Sequence, residues 1–111
     1  MKVVDLLQMG VFKPVNEGHN MDREITGAYC CDLLSIAMGK MPAGSAWVTV
    51  MSNINTLAVA ALADAACVIL AEDCHLDPAG LAKAREQGIT VFETELPVFD
   101  AALVVYKALN A

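Results

Sequence analysis

Val3, Leu6 and Leu7 recur at helical spacing and Gly10 follows, so the pattern predicts a short helix closed by glycine. Residues 11–15 read as extended, with Pro14 confining the segment to a sheet edge or a loop. Residues 16–22 (Asn-Glu-Gly-His-Asn-Met-Asp) are rich in turn formers and read as a loop. From residue 24 a regular alternation begins. The pattern predicts extended chain over 24–29, a helix over 32–39, a turn at 42–45 and a strand over 47–51. A small-residue helix over 56–63 and a short buried strand over 67–70 come next. Asp77 is placed to cap a helix with Pro78 at its first position, and Gly88 closes that helix after Lys83 and Arg85. A strand over 89–92 and a last helix over 97–109 complete the chain.

Strands alternating with helices of this length mean crossover units. The predicted fold class is α/β: a single domain over 1–111, with a largely parallel sheet flanked by helices and built from successive β-α units. No linker and no internal repeat interrupts it. The final helix carries only Asp100 and Lys107 as charges. A helix apolar nearly all round is buried on more than one side. Either it is wedged between the sheet and the N-terminal helix, or a second subunit covers it.

Composition sharpens this picture. Hydrophobic residues make up 57% of the 111 residues and charged residues 18%, below the usual quarter or so. The sheet is therefore expected to be covered on both faces, or an apolar surface to be covered by another subunit. Seven Lys and Arg against thirteen Asp and Glu give a net charge of −6, without a basic footprint for nucleic acid. No apolar run reaches membrane-spanning length, since the longest, 57–63, meets Asp64. Asp5 comes too early for a secretory signal, so the expected location is cytoplasmic, away from membranes. In that reducing setting Cys30, Cys31, Cys67 and Cys74 are expected to be free thiols packed as small apolar residues.

The strand-to-helix break at Ser52-Asn53-Ile54-Asn55-Thr56 is where an open α/β sheet places a ligand. Ser52, Asn53, Asn55 and Thr56 are candidate ligand-binding residues, although by residue type alone each reads first as a cap for the helix. Asp32 joins them, either as a cap for the helix beginning Leu33-Leu34 or by meeting a partner at the strand ends. Asp22, Glu24, Glu72 and Asp73 could serve acid–base chemistry but read first as solvated loop ends. The cysteines with His19 and His75 match no zinc spacing, so no metal is expected. The one Gly-Lys pair, Gly39-Lys40, is followed by Met41 and has Leu34 where a phosphate loop needs its first glycine. Neither a catalytic constellation nor a cofactor is expected.

Thr26-Gly27-Ala28-Tyr29, then Asp32-Leu33-Leu34-Ser35, Trp47-Val48-Thr49 and Asn55-Thr56-Leu57-Ala58-Val59-Ala60 stand in an order with a precedent. So do Leu76-Asp77-Pro78 and Glu86-Gln87-Gly88-Ile89. Over about residues 24–109 the chain resembles the DRTGG-like domains, whose short stand-alone members are known as HPr kinase N-terminal-domain-like proteins. The resemblance implies a parallel α/β fold, a non-catalytic regulatory role responding to a nucleotide or other small polar metabolite, and a homodimer. The alternative is a scaffold subunit that binds a metabolic or redox enzyme. The positions that name the family fall at Asn53, Ile54, Ala71, Glu72 and Asp73, and none keeps the family residue. Glu72 and Asp73 stand where the family has two glycines, and their carboxylates would repel phosphate.

Overall fold

The computed structural model describes residues 1–111. Its chain order is an N-terminal 3-10 helix (Val3–Met9), β1 (Lys13–Asn16), β2 (Gly27–Cys30), α1 (Leu34–Lys40) and β3 (Ser45–Thr49). There follow α2 (Ile54–Leu62), β4 (Cys67–Leu70), α3 (Pro78–Gln87), β5 (Val91–Glu93) and α4 (Val98–Leu109). The five strands form one sheet in the order β1-β5-β4-β3-β2. Strands β2 to β5 are mutually parallel, whereas β1 runs antiparallel to β5 with Lys13 opposite Glu93. The register slips between Pro14 and Asn16, and β1 is the edge strand that Pro14 requires.

Side chains of the central strands alternate between two cores. Ala46, Val48, Cys67, Ile69 and Phe92 point to one face, where they meet Val3 and Leu6 of the 3-10 helix and Ala101 and Val105 of α4. Trp47, Val68, Leu70 and Val91 point to the other, where they meet Ala37 of α1, Leu57 and Ala60 of α2 and Ala84 of α3. Every residue of β3, β4 and β5 is buried, as a sheet covered on both faces demands.

Local chemistry sets the element ends. Gly10 and Gly88 close their helices at φ 76° and 67°, left-handed values that glycine adopts without a Cβ clash. Asp77 accepts a hydrogen bond from Gly80 N at 2.6 Å, with Pro78 following it at the first helical position. Helix α1 starts at Leu34 rather than 32, because the Asp32 carboxylate is bound elsewhere and caps nothing. The final helix sits beside the 3-10 helix as one expectation had it, yet only Ala101 and Val105 are fully buried. Phe99 and Tyr106 remain 71% and 59% exposed. No helix is long and apolar enough to cross a membrane.

Candidate functional site

All three crossovers between parallel strands place their helices, α1, α2 and α3, on the Trp47 face. The chain leaving β5 goes instead to α4 on the opposite face. Neighbouring strands β4 and β5 therefore send their following segments apart. In an open α/β sheet the crevice for a ligand opens at such a divide, beyond the carboxyl ends of the strands. An open crevice of about 500 Å³ lies beside this divide, between the end of β5, the loop after β4 and the chain entering β1 at residues 10–13. Its polar walls are Asp73 and His75 after β4, Glu93, Thr94 and Glu95 at the end of β5, and Lys13 of β1.

Glu93 anchors this site. It is the last residue of β5 and only 9% exposed. Its Oε1 lies 2.8 Å from His75 Nδ1, and its Oε2 accepts from Leu76 N at 2.9 Å. On the other side of the ring, His75 Nε2 lies 3.2 Å from Asp73 Oδ1. The Glu93 hydrogen bond, and then its charge, hold the His75 imidazole above its ordinary pKa. Asp73 adds to that shift, while partial loss of water and the Lys13 charge oppose it. Thr94 is buried, and its Oγ1 accepts from Leu96 N at 3.2 Å.

The segment carrying Asp73 is strained. Glu72 and Asp73 have φ of 60° and 59°, left-handed values that cost a non-glycine residue on the order of 1 kcal/mol each. Pairing holds them there. Glu72 N donates to Leu96 O and Asp73 N to Thr94 O, which joins the two diverging loops where they leave the sheet. Glu72 Oε2 accepts from Val98 N, so its carboxylate caps α4. Both acids are solvated loop residues, as expected from the sequence, and each also has a partner, Glu72 at Val98 N and Asp73 beside His75.

The residues singled out at the strand-to-helix break lie at the end of the neighbouring strand, β3, and do not line the crevice. The structure brings Asp32 to this break, where its Oδ1 accepts from Thr49 Oγ1 at 2.7 Å and from Val50 N at 3.0 Å. Asn53 caps α2 by accepting from Asn55 N and Thr56 N. Ser52 is half-buried and Asn55 exposed. Thr56 is fully buried, and its hydroxyl has no partner.

The cysteines divide, correcting the expectation that all four are packed. Only Cys67 is buried; Cys31 and Cys74 are intermediate and Cys30 is exposed. No group of three His, Cys, Asp or Glu side chains is arranged to hold a metal ion.

Sequence reasoning did not single out Glu93 or Lys13 and treated His75 only as a possible zinc or thiol partner. One signal for Glu93 was available: a carboxylate directly after the strand-like run 89–92, where a buried strand delivers its last side chain to the ligand edge. Comparison with known proteins finds no family model and no curated protein that matches the chain.

Proposed function

We propose that this chain is a non-catalytic regulatory domain that senses a small polar ligand in the crevice between the ends of β4 and β5. The observation that carries this reading is the convergence of Asp73, His75, Glu93, Thr94 and Glu95 on one crevice where the sheet's connections diverge. Three carboxylates there face one lysine, so the wall favours a ligand's hydrogen-bond donors, such as ribose hydroxyls or amino groups, over a phosphate. Glu72 and Asp73 adopt a left-handed backbone that glycine, the residue the DRTGG-like domains have there, enters most freely.

Calorimetric titration with nucleosides, nucleotides and small amino compounds tests the reading, with binding mapped by amide chemical shifts. The expected response falls on residues 72–76 and 93–96 and disappears in Glu93→Gln. A response confined to Ser52–Thr56 would move the site to the start of α2. Silence across the whole panel would overturn the ligand reading.

A homodimer through α4 is the second part of the proposal. Phe99 and Tyr106 are seven residues apart on one stripe of that helix, and both are largely exposed. Light scattering at micromolar concentration should give about twice the chain mass, and Phe99→Asp should halve it. A wild-type monomer would remove the dimer. A stable complex with a metabolic or redox enzyme, without any ligand response, would favour the scaffold reading.

A further inference from the structure

Both ring nitrogens of His75 face carboxylates, Nδ1 toward Glu93 at 2.8 Å and Nε2 toward Asp73 at 3.2 Å. A neutral imidazole has one N–H and one lone pair. Nδ1 is hydrogen-bonded to Glu93, whereas Nε2 meets Asp73 at an ion-pair distance without the geometry of a hydrogen bond. A neutral ring protonated on Nδ1 keeps its bond to Glu93, but only the imidazolium gains from the Asp73 charge as well. The arrangement favours the protonated ring.

The two carboxylates belong to different parts of the crevice. Glu93 ends β5, is largely buried and is held by Leu76 N as well. Asp73 lies in the strained loop after β4. The other charged groups facing the ring's surroundings are Lys13 from β1, opposite Glu93, and Glu95 on the crevice wall. Asp77, further along the same loop, is occupied with Gly80 N. Local charge is thus dominated by the carboxylates, and the imidazolium, lying between two of them, offsets one charge.

We propose that His75 is a proton-operated latch: as an imidazolium, bonded to Glu93 at the end of β5, it holds the Asp73 carboxylate of the loop after β4 by charge, and loss of its proton releases Asp73 to the crevice. In ligand terms, which rest on the proposed sensing role, the latch makes the site pH-dependent. Below the midpoint the Asp73 carboxylate is taken by His75. Above it Asp73 is free to accept from a ligand's hydroxyl or amino groups. His75 is about two-thirds exposed, so solvent can exchange its proton directly.

The test is a pH titration of the ligand-free full chain by NMR, following the His75 ring carbon and the amides of residues 72–76. The ring midpoint is expected above the ordinary value of about 6.5. Loop amides should titrate with the same midpoint. Glu93→Gln should lower the midpoint markedly and Asp73→Asn, at an exposed position, by less. In His75→Gln the loop amides should lose that transition. A ring midpoint at or below the ordinary value, or loop amides that ignore it, would overturn the latch. No ligand enters these measurements, so a failed ligand screen leaves the latch standing and a failed titration leaves the ligand reading standing.

Discussion

Glu72 Oε2 accepts a hydrogen bond from the backbone N–H of Val98 at 2.9 Å, joining the end of β4 to the first turn of α4. Pro97, at the cap position itself, makes no side-chain cap. A carboxylate at a helix N-terminus is worth about 0.5–2 kcal/mol through the donors it satisfies and the helix dipole. The same residue sits at φ 60°, which works against it.

These opposing effects separate two substitutions. Glu72→Ala loses the cap and keeps the left-handed strain, so it should destabilise the chain by about 1–2 kcal/mol. Glu72→Gly loses the cap but relieves the strain, so its net change should stay within about 0.5 kcal/mol of zero. Urea unfolding followed by the emission of buried Trp47 measures both. Equal losses in the two variants would show that strain at this position contributes nothing.

The cysteines should differ sharply in reactivity. Burial pushes the Cys67 thiol up to about 12, and no water reaches it. Cys30 lies at the surface, though partial desolvation and then the Asp32 charge push its thiol up as well. Alkylation at pH 8 followed by mass spectrometry should leave Cys67 unmodified in the native protein and modify it only after unfolding. Labelling of native Cys67 at the rate of Cys74 would contradict the packing of β4.

The fold was legible because its signals are local. Asp77, Pro78 and Gly88 fix the limits of α3 within the residues that carry them, and Pro14 alone sends its strand to the edge. The start of α1 was misplaced because the competing hydrogen bonds reach Asp32 from Thr49 and Val50, on a strand not adjacent in sequence. The crevice was illegible for the same reason. His75 and Glu93 are 18 residues apart and meet only because β4 and β5 pair in parallel, with Leu70 opposite Glu93. Divergence of the chain after β5 depends on which face α4 takes, and an apolar helix does not reveal that in its own pattern.

At the opposite end of the sheet, Arg23 and Asp64 make a two-pronged ion pair at 2.6 and 2.9 Å. The hydrogen bond to Arg23 holds the Asp64 carboxyl below its ordinary 3.8. A lowered folded pKa contributes stability above the unfolded value, and that contribution is lost as pH falls through the folded value. Asp64 is largely exposed, so solvent screening limits the pair to about 0.2–1 kcal/mol. Asp64→Asn isolates the charge, because asparagine tolerates the left-handed φ of 62° found there. The variant should be less stable than wild type at pH 7 by that amount, and the gap should close as pH drops below the ordinary carboxylate range. Added salt should narrow the gap at pH 7. A gap that persists unchanged at low pH would assign the effect to something other than the ion pair.

The first turn of α2 contains two sequence-selected residues whose substitutions should act in opposite directions. Asn53 accepts from two backbone donors, so Asn53→Ala should cost about 1 kcal/mol through the lost cap. Thr56 sits three residues on, fully buried, with a hydroxyl that pairs with nothing. A buried orphan hydroxyl costs about 1–3 kcal/mol, and valine replaces threonine with nearly the same shape. Thr56→Val should therefore raise stability by about 1 kcal/mol, seen as a higher urea midpoint with an unchanged slope. If Thr56→Val is instead destabilising, the hydroxyl has a partner, and the start of α2 regains its claim as the ligand position.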